Sequence, residues 1–171
     1  MKIKLLVFSL MTLAICLSAK SQELDEKYGK DAKSITNIID AYYDVISGAA
    51  TQAWQFERDS YLHSNEAIII RLDENGKADV HSLEAEYIPL LLLPKENFYE
   101  KELKRKVSQF GNMAQVWSAY EVRTNPETAS NIRGLNSIQL HFENGRWFID
   151  SWTTQMETET YNIVIEFLKT E

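Results

Sequence analysis

Cysteine, histidine and proline are scarce in this chain, which has one Cys, three His and three Pro among 171 residues. The lone cysteine, Cys16, excludes an intramolecular disulfide, so stability must come from packing and hydrogen bonds. The histidines, His63, His81 and His141, have no metal-ligand spacing, and the acids form no ligand-type cluster. We therefore expect no bound metal and no cofactor.

Motifs of phosphate binding and nucleophilic catalysis are also missing. The sequence has only six glycines and contains no glycine-rich phosphate loop and no Gly-x-Ser-x-Gly elbow. A glycosidase-like pair of acids does not stand out either. These absences leave general acid–base chemistry or simple ligand binding as the function classes to consider.

Long apolar runs are confined to the amino terminus. Two lysines precede an apolar run, Leu5–Leu17, and small polar residues follow it up to Ser21. This pattern predicts a signal peptide at residues 1–21, cleaved near Ser21, because the run is too short to span a membrane. The protein is then secreted or periplasmic. Lipidation of Cys16 is the alternative, but the bulky Ile15 stands where a lipoprotein signal prefers a small residue.

Cleavage leaves a single domain at residues 22–171, with a core at about 33–156 and a tail at 157–171. Loss of the three leader lysines leaves 15 Lys and Arg against 25 Asp and Glu, a net charge of −10. Such an acidic chain is not expected to bind nucleic acid. No transmembrane segment is predicted in the mature chain.

Three helices are predicted in the first half. The first follows a cap at Ser34 or Asp31 and ends near Gly48. A second begins near Thr51, and a third follows Ser82 and becomes irregular beyond Pro89, where four leucines call for burial. One apolar stripe defines the first helix: Ile35, Ile38, Ile39, Tyr42, Tyr43 and Ile46.

Strands dominate the second half. A small hairpin is predicted from Glu66–Leu72 and residues 77–81, and residues 98–110 favour a strand over a helix. Three further strands follow, the last two joined by Asn144-Gly145, which suits a type I′ turn. These three strands are Gly111–Arg123, Arg133–Phe142 and Arg146–Thr154. The sequence predicts an α+β cone, with a curved mixed or antiparallel sheet and about three helices on its concave face.

Alternation along these strands assigns side chains to two sheet faces. Three polar residues fall on the mostly aliphatic face, where they either satisfy one another or line a ligand pocket together with Tyr43: Tyr120, Asn136 and Ser151. The other face carries a predicted homodimer surface of Trp117, Leu135, Phe148 and Trp152. Burial of that face under residues 161–168 is the alternative.

Glu100 and Glu102 share one face of the strand at residues 98–110. We interpret them as part of an exposed ladder that alternates with Lys101 and Lys104. If both acids were buried instead, their repulsion would raise the pKa of one of them.

Several segments of the chain resemble the NTF2-like superfamily, which includes SnoaL-like polyketide cyclases and ketosteroid isomerases. The resemblance covers about residues 33–156 and is closest to exported bacterial proteins of unassigned function. That group often has His-Pro-Asp-Ala where this chain has His63-Ser64-Asn65-Glu66-Ala67. The segments that carry the resemblance are Trp54-Gln55-Phe56 through Ala67, Phe110-Gly111-Asn112-Met113-Ala114 and Arg133-Gly134-Leu135-Asn136-Ser137-Ile138-Gln139-Leu140.

The resemblance implies a cone-shaped pocket, and the leading hypothesis is a domain that binds a small, largely apolar or amphipathic molecule, whether or not it also catalyses a reaction. The first alternative is a cofactor-independent isomerase, dehydratase or cyclase. In that case His63, at a predicted pocket rim, or Asp59 is the base and Tyr43 is the proton donor. Each of these residues also has a structural interpretation: His63 as a loop histidine, Asp59 as a solvated acid and Tyr43 as a core tyrosine. The second alternative is a dimeric interaction module.

Overall fold

The computed structural model describes residues 21–130, 132–163 and 167–168. Residues 21–28 are helical, and three helices and six strands follow: α1 (Ile35–Ile46), α2 (Phe56–Leu62), β1 (His63–Leu72), β2 (Ala78–Ser82), α3 (Leu83–Leu92), β3 (Tyr99–Phe110), β4 (Met113–Arg123), β5 (Ile132–Glu143) and β6 (Arg146–Met156). Cys16 and the predicted signal peptide before Ser21 lie outside the described residues.

Helix α1 forms where the apolar stripe predicts it. Ser34 caps its start by accepting a hydrogen bond from the Asn37 N–H at 3.1 Å. Ile38, Ile39 and Tyr42 are at most 1% exposed. Burial of such side chains contributes roughly 1.5–3 kcal/mol each, so the stripe holds α1 against the sheet.

The other two helices differ from prediction at their ends. Helix α2 begins at Phe56 rather than near Thr51. Helix α3 is capped by Ser82, as predicted, but continues past Pro89 to Leu92. The expected burial of the whole leucine run is wrong, because Leu92 and Leu93 are 79% and 66% exposed.

The six strands form one mixed sheet in the order β2-β1-β6-β5-β4-β3. Only β1 and β6 are parallel, and all other neighbouring strands are antiparallel. The Asn144-Gly145 turn has φ values of 51° and 85°, as a type I′ turn requires. Helices α1 and α2 contact the sheet, and the main core lies between these layers.

A β-bulge in β6 overturns part of the predicted face assignment. Gln139 pairs with Ser151 while the next residue, Leu140, pairs with Ile149, so Asp150 is the extra residue. An extra residue shifts all later side chains to the opposite faces. Ser151 therefore lies on the outer face and Trp152 on the concave face, the reverse of the prediction.

A second bulge lies in β3. Glu102 pairs with Tyr120 and Lys104 with Ala119, which leaves Leu103 as the extra residue. Before the bulge, the Glu102 side chain reaches Ser118 on the concave face. The predicted exposed ladder is thus wrong for the acids of β3.

The tail covers part of the outer face. Ile163 and Phe167 pack against Ala119, and Leu135 joins this cluster. Covering by the tail was the alternative that the sequence offered. No helix of the described residues combines the length and apolar character that a membrane span requires.

Gly134→Ala should destabilise the protein by about 1–3 kcal/mol, the usual range for overpacking. An added Cβ would lie 2.4 Å from the Tyr120 hydroxyl oxygen and 2.6 Å from the Gln155 carbonyl oxygen. Urea denaturation measures the change, with the exposed position Gln139→Ala on the same strand as control. Equal midpoints for the two variants would contradict this close approach.

Candidate functional site

A polar cluster occupies the centre of the concave sheet face. Tyr43 reaches it from α1, Ser118 from β4 and Asn136 from β5. Trp152 joins from β6 because the bulge turns its side chain inward. Glu102 of β3 completes the hydrogen-bonded set. The structure thus brings together two of the predicted pocket residues, Tyr43 and Asn136.

The hydrogen bonds of this cluster run in one direction. Trp152 Nε1 donates to Asn136 Oδ1 at 3.1 Å, and Asn136 Nδ2 donates to the Tyr43 hydroxyl at 3.2 Å. The Tyr43 hydroxyl lies 2.7 Å from Ser118 Oγ. Ser118 in turn donates to the Glu102 carboxylate. Because the Ser118 proton is used on Glu102, the Tyr43 proton must go to Ser118.

An arginine holds Glu102, the last acceptor in this series of hydrogen bonds. Arg105 Nε donates to both Glu102 carboxylate oxygens at 2.9 and 3.0 Å, and Arg105 Nη2 also contacts Asp40 at 2.6 Å. Glu102 is thereby held as an ion-paired acceptor. It follows that the Tyr43 hydroxyl already uses its proton within the protein, which weakens its predicted role as donor to a substrate.

Glu100 is the acid on this face with an unusual protonation state. Its backbone is fixed by the Ser47 hydroxyl, which donates to the Glu100 carbonyl at 2.9 Å and accepts from its N–H at 3.0 Å. Burial raises the pKa of the carboxyl to about 8, although a hydrogen bond from Asn136 and the charge of Arg71 lower it. At neutral pH the group is mostly protonated and can donate a hydrogen bond.

Partly exposed groups border the cluster on the concave face, and we call the region around Tyr120, Trp152, Thr154 and Arg71 the recess. Tyr120 is buried, and its hydroxyl lies 3.0 Å from Thr154 Oγ1. Trp152 and Thr154 are only half-buried, and the Arg71 side chain is 49% exposed. Tyr120, the third predicted pocket residue found on the concave face, therefore lies next to groups that solvent reaches.

His63 does not lie at a pocket rim, as the sequence suggested, but is 3% exposed beside Asp59, which is 2% exposed. His63 Nδ1 lies 2.8 Å from the Asp59 carbonyl oxygen and 3.3 Å from Asp59 Oδ1. Tyr87 donates to the other carboxylate oxygen at 2.7 Å. Burial lowers the pKa of His63, but the Asp59 charge and hydrogen bonds outweigh it, so the net change is upward.

Three polar atoms near this ion pair lack a hydrogen-bond partner among the described residues. They are the Tyr42 hydroxyl, Asp59 Oδ1 and His63 Nε2. The Tyr42 ring lies 6.5 Å from the His63 ring and 5.2 Å from the Trp152 ring. Tyr42 therefore separates the ion pair from the central polar cluster.

The proposed dimer face is reduced by one member. Trp117 is 40% exposed, Phe148 stacks on His141 at 5.0 Å, and Leu135 packs under the tail. Trp152 belongs to the concave face, so its assignment to the outer surface is wrong. Homodimer formation through the remaining residues stays a prediction.

Three residues of the site were missed by sequence reasoning: Glu100, Glu102 and Trp152. The signal for the two acids was their shared strand face, which also allowed burial with a raised pKa. For Trp152 no local signal existed, because the bulge at Asp150 is set by pairing with two neighbouring strands. Among the described residues, no three His, Cys, Asp or Glu side chains are grouped to hold a metal ion.

No family model and no curated protein matches this sequence. Solved structures do resemble it. An NTF2-like protein of unknown function from Shewanella baltica has a TM-score of 0.54 at 12% identity, covering 73% of this chain and 92% of that one. An NTF2-like protein of unknown function from Pseudomonas putida has a TM-score of 0.57 at 8% identity, covering 75% and 89%.

A protein from Shewanella frigidimarina, described as a proposed ketosteroid isomerase, has a TM-score of 0.50 at 13% identity, covering 70% of this chain and 92% of that one. Identities this low establish the fold alone. The chain therefore has the α+β fold of these NTF2-like structures, which is the fold that the sequence resemblance implied.

Glu100→Gln should remove a pH dependence of stability. A raised folded-state pKa gives stability that is complete below the ordinary value of 4.5 and is lost as pH rises through about 8. The stability of the variant relative to the wild type should therefore increase as pH rises from 4.5 through about 8, by at most about 5 kcal/mol. Urea midpoints across this range measure the gain. The exposed Glu66→Gln is the control, and a pH-independent difference would contradict the assignment.

Tyr43→Phe should lower the stability of the protein, whereas Tyr42→Phe should not. The Tyr42 hydroxyl is unpaired among the described residues, and burying such a group costs about 1–3 kcal/mol, so its removal should not destabilise. The Tyr43 hydroxyl has two partners, and its loss should destabilise by about 1–3 kcal/mol. Chemical denaturation of both variants is decisive. Equal losses would mean that Tyr42 has a partner too.

Proposed function

We propose that this protein is an exported NTF2-like domain that binds a small, largely apolar molecule in the recess of its cone, with a hydrogen-bond acceptor of that molecule directed at Glu100. The observation that carries the proposal is the cluster geometry. Asn136 and Tyr43 use their donors on other protein groups, whereas Glu100 presents a carboxyl that has accepted a hydrogen bond from Asn136.

Two half-buried aromatic side chains, Trp152 and Phe98, support an apolar body for this ligand. Tyr42 packs edge-on against Tyr43 at 5.1 Å and against Trp152 at 5.2 Å. Phe98 is half-buried against the same core. Aromatic walls with a few polar groups are typical of small-molecule sites. Export is inferred from the predicted signal peptide.

Acid–base catalysis by an isomerase, dehydratase or cyclase is the second candidate. One observation favours it: a carboxyl with a pKa of about 8 can both give and take a proton near neutral pH. In this version Glu100, rather than Tyr43, is the donor. The buried pair of Asp59 and His63 lies behind the Tyr42 ring, which disfavours the predicted base.

Native mass spectrometry of the mature protein from its own host provides the first test. An extra non-covalent mass, absent after denaturation, is the expected result. Calorimetric titration with matched linear and bicyclic probes follows, each prepared as a hydrocarbon and as its methyl ketone. The ketones should bind more tightly to the wild type, by roughly one hydrogen bond or about 1 kcal/mol.

Glu100→Ala should abolish the preference for ketones, while the exposed Glu66→Ala should retain it. Absence of binding by every probe, together with a host-derived protein free of extra mass, would rule out the ligand-binding function. Equal ketone preference in Glu100→Ala would rule out the role of Glu100 alone.

A further inference from the structure

Arg71 is a cation on the concave face of the sheet. It follows buried Ile69 by two positions on β1, so the two side chains share a sheet face, and it pairs in register with Thr154 of β6. Its charge acts on Glu100 and on Tyr120. Arg71 therefore lies close enough to both groups for its charge to act on them.

The guanidinium of Arg71 is held from one side only. Its Nη2 donates to Glu86 Oε1 on α3, and the other oxygen of that carboxylate contacts His81 Nε2. Glu86 is buried, at 8% exposed, whereas the Arg71 side chain is 49% exposed. Among the described residues, the other Arg71 nitrogens have no hydrogen-bond partner.

The groups around the recess are mainly donors. Arg71 has only N–H groups, the Tyr120 hydroxyl can donate or accept toward Thr154, and Glu100 is mostly protonated at neutral pH. The Glu86 carboxylate is already shared between Arg71 and His81. A ligand group placed here must accept hydrogen bonds, and an arginine fork favours a planar oxyanion with two oxygens.

We propose that the recess selects a monocarboxylate with an apolar body, whose carboxylate pairs with Arg71 and also accepts from Tyr120 or Glu100. The apolar body extends over the half-buried Trp152 ring. This inference rests on the proposed ligand-binding function and specifies the class of its ligand.

The test compares the carboxylate and methyl-ketone forms of the same linear and bicyclic probes by calorimetric titration at neutral pH. In the wild type, carboxylates should bind at least about tenfold more tightly than ketones, a preference that should shrink at high salt. Arg71→Gln should reduce the preference to about twofold or less. Arg71→Lys, which keeps the charge but loses the fork, should give an intermediate preference.

Arg133→Gln is the matched control. Arg133 is a partly exposed arginine with one carboxylate partner, Glu157, at 2.7 Å, and it lies next to inward-facing Gly134 and so on the outer face. This variant should keep the full preference. Thermal unfolding shows whether each variant is folded. If Arg71→Gln is not folded, Arg71→Lys replaces it in the comparison with the wild type.

Each outcome has a separate meaning. Ketones and carboxylates that bind equally to the wild type would overturn the inference and leave the ligand-binding function intact. A carboxylate preference that survives in Arg71→Gln would assign anion recognition to another cation and would also overturn it. Absence of binding by both probe forms would instead remove the proposed function itself.

Discussion

The fixed orientation of one buried amide determines most of the interior of this cone. Asn136 is 0% exposed and accepts from the Trp152 indole on one side, so its NH₂ group must face Tyr43 and Glu100. An amide cannot exchange its donor and acceptor ends without breaking these bonds at once. This choice fixes the hydrogen bond from Asn136 to Tyr43, and the bond from Ser118 to the Glu102 carboxylate fixes the direction of the bond between Tyr43 and Ser118.

Two irregularities of the sheet place the side chains that this network needs. The extra residue at Asp150 turns Trp152 inward. The extra residue at Leu103 places Glu102 and Arg105 on the same face of the sheet, where they pair. A regular ladder would place the indole on the outer face. Bulges are commonly found beside functional sites because they redirect side chains without changing the fold.

The contrast between fold and site shows what local patterns encode. The stripe of α1, the Ser34 and Ser82 caps and the Asn144-Gly145 turn depend on neighbours in sequence, and all were predictable. The acids of β3 and the Trp152 indole depend on which strand pairs where, which alternation alone does not determine. His63 was misplaced for the same reason, since α2 runs directly into β1 and buries the junction.

Helix α3 presents two adjacent residues to two different charged groups. Glu86 holds Arg71 at the rim, and Tyr87 donates to Asp59 in the core. One turn of α3 therefore fastens a half-exposed arginine of β1 and the buried Asp59 beside His63 to the same short segment of the chain.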